Sequence, residues 1–156
     1  PVFGYAKPVP YNPSYFKDHR KGDLIVGLAG PSANLVMAII GAVLFWILYP
    51  MASDLISSSE FFVYLYSFLI NFVLINLFFM FFNLLPIPPL DGSSIFAVLL
   101  PAKYLPTYYK IQRYALPIFV IVIFAVPYIT GVNVISMYLD LTAMNLASLM
   151  LPPGII

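Results

Sequence analysis

The sequence predicts an all-α polytopic membrane protein with about three transmembrane helices, and three observations carry that prediction. Of 156 residues, 62% are hydrophobic and only 8% are charged, against roughly 45–50% apolar and about 25% charged in soluble domains. Three long runs contain no charged residue at all. All seven basic residues fall on one side of a three-crossing arrangement. Six acidic and seven basic side chains cannot cover a water-exposed surface of this size, so a soluble globular enzyme and a disordered chain are excluded. The net charge of +1 gives no footprint for nucleic acid. The absence of cysteine excludes disulfides and thiolate metal sites.

The first run, 24–50, follows a juxtamembrane segment (1–23) expected to be extended and cytoplasmic. As a helix it reaches about 40 Å, enough to cross with tilt, and Asp23 reads as its N-cap. The second run, 61–85, follows Glu60, which suits the positive end of a helix. The third, 114–130, is shorter and carries Pro117 and Pro127. Lys7, Lys17, Arg20 and Lys21 precede the first run, and Lys103, Lys110 and Arg113 lie between the second and third. The loop at 51–60 carries only Asp54 and Glu60, and the tail only Asp140. The positive-inside rule makes the basic side cytoplasmic. In the remaining segment, 131–156, Asn133, Ser136, Asp140 and Ala147 recur at helical spacing. It reads either as an amphipathic interfacial helix on the non-cytoplasmic side or as a helix packed against the others.

The transmembrane core, 24–130, is interrupted at Asn83-Leu-Leu-Pro86-Ile-Pro88-Pro89-Leu90-Asp91-Gly92. Three prolines in four positions remove amide donors and push the preceding residues out of helical geometry, so 86–92 is expected to be unwound. A short helix then resumes at Ser93 and stops at Pro101. Non-helical backbone at membrane depth survives only in protein or beside a cavity, and an ionisable residue there is a functional candidate. Asp91 is that residue; the alternative is a carboxylate that caps the short helix. Asn71, Asn76 and Asn83 lie on the second run, where interhelical hydrogen bonding is the plain reading. Gly30, Asn34, Ala38 and Gly41 form a stripe that is either small-residue packing or an amide facing a site. His19, the only histidine, sits in a basic, solvated stretch.

These residues carry a resemblance. Asn83-x-x-Pro86-x-Pro88-x-Leu90-Asp91-Gly92, preceded some fifty residues earlier by Gly30-Pro31-x-x-Asn34, resembles the site-2 protease family of intramembrane zinc metalloproteases. The opening segment to Pro13 is similar to the stretch after the zinc-binding helices of compact bacterial members, and the likeness runs to about residue 115. The resemblance implies that Asp91 is the third protein ligand of a catalytic zinc. It implies that Asn34 and Gly30 line the site or touch substrate, and that Asn83, Pro86, Pro88 and Gly92 shape the segment presenting Asp91. The family's other two ligands and its general base come from a His-Glu-x-x-His motif, which this sequence lacks. Residue 1 is Pro rather than Met, and the motif is expected upstream of it.

The implied activity is zinc-dependent hydrolysis of peptide bonds in membrane-anchored protein substrates by an activated water. The implied surroundings are a lipid bilayer, such a substrate and a bacterial-type inner membrane, with the basic loops cytoplasmic. A catalytically inactive structural subunit of a larger membrane complex, touching other membrane subunits, is the alternative. A transport function ranks lower, because no second broken helix mirrors the first.

Overall fold

A computed structural model describes residues 19–87 and 90–156. The described residues form helices joined by short turns, with no strand among them. In order these are α1 (His19–Leu48), α2 (Ala52–Ser58), α3 (Glu60–Asn83), α4 (Asp91–Leu99), α5 (Leu105–Thr130), α6 (Val134–Leu139) and α7 (Asn145–Met150). A single π turn, Asp140–Met144, joins α6 to α7 as one continuous helix. Three stretches are long and apolar enough to cross a membrane: Arg20–Ser58, Glu60–Asn83 and Ala102–Thr130. The first two match the expected runs. The described α1 reaches back to His19, so Asp23 lies in its second turn instead of capping it. The cap of α3 is Ser59, whose hydroxyl accepts from the Phe61 amide at 3.2 Å, with Glu60 in the first turn.

The core is the antiparallel α1–α3 pair. A Cβ added at Gly41 would stand 2.8 Å from Phe72 Cδ1 and 3.0 Å from Val73 Cγ2, so the small residue is what lets the helices approach so closely. Ala38, Ala42, Phe45, Leu69, Val73 and Leu77 fill the seam. The Tyr66 hydroxyl donates to the Leu48 carbonyl at 2.5 Å and closes its far end. Asn71 and Asn76 do not bridge helices. Their amides donate to the Ser67 and Phe72 carbonyls at 2.8 and 2.7 Å, four residues back on the same helix, which satisfies each amide without a partner helix.

The 134–150 segment takes the packed alternative. Ala143 and Ala147, one turn apart and fully buried, set it against α3, and Leu151 completes the cluster. Trp46 Nε1 donates to the Met150 carbonyl at 2.8 Å, and the Tyr138 hydroxyl donates to the Phe81 carbonyl at 3.1 Å. Small residues facing a neighbouring helix, rather than polar ones facing water, decide its place. Asn133 caps it, Oδ1 accepting from the Ser136 amide at 3.0 Å.

Leu77 is wholly buried in the α1–α3 seam. Leu77→Ala is expected to lower stability by about 3 kcal/mol, read as a drop in the thermal midpoint in detergent with helix content retained.

Candidate metal-ligand site

The site is built where α3 ends. Its last turn closes on Leu84, whose amide donates to the Met80 and Phe81 carbonyls at 3.2 Å each, and the chain then bends through Leu85, Pro86 and Ile87. Pro86 is exposed and Asn83 half-buried at this exit; Pro88 lies outside the described residues. The chain re-enters a helix at Leu90, which is the N-cap in extended geometry (φ −76°, ψ 151°). The described part of the break, 84–87 and 90, is non-helical, and Asp91 and Gly92 already belong to α4.

Asp91 is the first residue of α4, one past the N-cap Leu90, and among the described residues its carboxylate accepts no hydrogen bond. The carboxylate lies over Gly30 of α1: a Cβ at Gly30 would overlap Asp91 Oδ2. One turn before, a Cβ at Gly27 would stand 3.3 Å from the Asp91 carbonyl oxygen and 3.2 Å from Ile95 Cγ1. Gly27 and Gly30 therefore form a flat shelf on α1 against which the start of α4 is pressed. Pro31, buried beside that shelf, has no amide to donate to the Gly27 carbonyl. The Asp91 carboxylate is half-buried there, and a cation beside its oxygens would offset the cost of its lost water.

Three further contacts hold α4 in place. The Ser93 hydroxyl donates to the Leu90 carbonyl at 2.8 Å. The Tyr108 hydroxyl donates to the Ser93 carbonyl at 2.8 Å. Arg20 Nη2 donates to the Leu100 carbonyl at 3.0 Å. At Gly92, a Cβ would run into the backbone of Leu84 and the Leu85 carbonyl, so this residue must be glycine for the two arms of the break to close.

Asn34 is half-buried one turn beyond Gly30, on nearly the same side of α1. Its amide makes no hydrogen bond to a described residue, and neither does that of Asn83. Beside the shelf, Leu28, Pro31, Ser32, Leu35, Met80 and Leu84 line an open groove of about 200 Å³, apolar over nearly all its wall.

The structure thus brings Gly30, Asp91 and Gly92 together with Asn34 nearby. Gly27, Arg20 and Tyr108 were not singled out from the sequence. The Gly27-x-x-Gly30 spacing was the available signal for the first, and nothing local marks the other two. Among the described residues no three His, Cys, Asp or Glu side chains gather as a metal site. A half-buried carboxylate held by shape fits one ligand of a shared donor set.

The two glycines are expected to respond differently. At Gly30 the obstructed atom is the end of a movable side chain, so Gly30→Ala should fold with Asp91 displaced. At Gly92 the obstruction is backbone, and Gly92→Ala should cost about 1–3 kcal/mol. Thermal midpoints of the two variants in detergent check the contrast.

Comparison with known proteins covers most of the chain. The profile of peptidase family M50 matches residues 1–126. A Bacillus subtilis (strain 168) protein named "Putative zinc metalloprotease YwhC" is 34% identical over 125 residues, 80% of this chain. The chain spans 56% of that relative's length. No solved structure matches the chain. The matched residues include both the Gly30–Asn34 and the Asn83–Gly92 segments, and this chain belongs to peptidase family M50, the site-2 protease family.

Proposed function

We propose that this chain supplies one zinc ligand, Asp91, to an intramembrane metalloendopeptidase that hydrolyses membrane-anchored protein substrates. The observation that carries the reading is the Asp91 carboxylate over Gly30, half-buried at a break between apolar helices. Zinc, when bound, supplies Lewis acidity to a water and to the peptide carbonyl. The other donors and the general base belong to a His-Glu-x-x-His segment that would lie outside these 156 residues.

This chain's own residues orient and position. Gly30 and Gly27 set the depth of the carboxylate, and Gly92 closes the break that exposes it. A substrate helix hides its carbonyls in its own hydrogen bonds and must be opened before it can react. The Asn34 amide, with donors and an acceptor unspent, is placed to bond the freed backbone. The apolar groove beside the shelf suits an aliphatic or aromatic substrate side chain. Asn83 and Pro86 shape the exit of α3, and Pro88 is proposed to continue that turn. The membrane enclosing the site would be a bacterial inner membrane with the Asp91 end cytoplasmic.

In the full-length polypeptide, Asp91→Asn should lose zinc and cut peptide hydrolysis by at least about 100-fold, with the thermal midpoint of the metal-free protein unchanged. Asn34→Ala should retain zinc and lower kcat/KM by about 10- to 100-fold, the loss of a hydrogen bond made at the reacting peptide. Full-length protein that binds no stoichiometric zinc, or hydrolyses equally well as Asp91→Asn, would overturn the reading and favour a structural subunit.

A further inference from the structure

The contacts of α5 conflict with a helix that crosses beside α1 and α3. The antiparallel pair supplies a ruler. Leu48 meets Tyr66 at one end, Gly41 meets Phe72 and Val73 in the middle, and Leu28 and Pro31 share a groove with Met80 and Leu84 at the Asp91 end. On that ruler α5 stays at the Asp91 end. Tyr108 bonds Ser93, beside Gly92 and the Leu84 carbonyl. Eleven residues on, the Phe119 ring lies 5.8 Å from that of Phe82. A helix rises about 16 Å over that interval, yet both contacts lie at one depth, so this part of α5 runs across the axis of the pair.

The following helix leaves from the same end. Tyr138 bonds the Phe81 carbonyl and Met150 receives the bond from Trp46, so Val134–Met150 rises from the Asp91 end to the Leu48 end. Because α6, the π turn and α7 are continuous, Val134 lies at or beyond Tyr138 on the Asp91 side. Thr130 is only four residues before Val134. Both ends of α5 are thus on one side, whereas Val134–Met150 spans about 25 Å along the pair, near the short limit for a crossing helix. Thr142, Asn145 and Ser148 donate to the Tyr138, Leu141 and Asn145 carbonyls at 2.6, 2.9 and 2.7 Å, and the exposed Asp140 is the one acidic or basic side chain this segment carries.

We infer that α5 lies in the membrane surface at the Asp91 end, bound to the lipid headgroup layer, and that Val134–Met150 makes the third crossing. The composition of α5 and the turn before it suits that partner. Lys103, Lys110 and Arg113 are exposed, placed to meet headgroup phosphates. Tyr104, Tyr108, Tyr109 and Tyr114 are interspersed with them, and tyrosine is a residue of the membrane–water boundary. The second half of α5 exposes apolar side chains on several faces, Leu116, Ile118, Val120, Ile121, Phe124 and Ile129 among them, and is embedded in the acyl layer beneath the headgroups rather than among them. The inference is independent of the zinc reading.

The 156 residues contain no cysteine, so a single introduced thiol reports its own side. Met51→Cys marks the Leu48 end and Lys103→Cys the Asp91 end. Val132→Cys is the test position, exposed at 47%, with Thr130→Cys as a second should the first fail to insert. Full-length protein, with any upstream cysteine replaced, is treated in sealed vesicles with a membrane-impermeant maleimide from each side in turn. The expected result is labelling of the test thiol from the same side as position 103. Labelling from the side of position 51, or only after detergent, would overturn the inference.

Discussion

The start of α4 packs directly on two glycines of α1, and the rest of the site follows from that contact. At Gly30 a methyl group would need the space of a movable carboxylate oxygen, and at Gly27 it would stand 3.3 Å from the Asp91 carbonyl and 3.2 Å from Ile95. A helix terminus is thereby held with its acid against a neighbouring helix. A carboxylate at the first position of a helix would ordinarily be stabilised by the helix end and by water. Here the carboxylate is half-buried against Gly30, and a cation beside it would offset the cost of burying its charge.

The proline break has a corresponding structural role. A continuous helix through 84–90 would carry residue 91 about 10 Å further along the axis of α3. The break folds the chain back so that Gly92 meets the Leu84 backbone and Ser93 ties itself to Leu90. Arg20 and Tyr108 then fasten the two ends of α4 from opposite sides in sequence. The chain belongs to peptidase family M50 over residues 1–126, which include this break.

The placement of α5 and of Val134–Met150 bears on how the Asp91 end meets its surroundings. A surface-lying α5, anchored to α4 through Tyr108 and the Phe96–Tyr108 ring pair at 5.6 Å, would put a belt of tyrosines and basic side chains at the mouth of the site. The crossing beside α3 would then fall to a segment whose buried alanines suit close helix packing. Hydropathy ranks these two stretches the other way, because it weighs length and composition without knowing which helix has a neighbour.

Composition and periodicity were enough to read a helical membrane protein and the ends of α1 and α3 within about five residues, and the proline cluster marked the break before Asp91. Those properties are local. A charge-free run must be buried in lipid or protein, and three clustered prolines must break a helix wherever they stand. Other features depended on atoms far apart in the chain: Gly30 as the floor beneath Asp91, Asp91 inside α4 instead of capping it, the tyrosine and arginine that hold α4, and the packed course of 134–150. Each is a matter of which surfaces approach within a few ångströms, and a linear pattern of apolar and polar residues carries no record of that. The sequence by itself therefore determined which groups are available, and the tertiary structure decided which of them meet, since contact between helices depends on relative depth and rotation as well as on hydrophobicity.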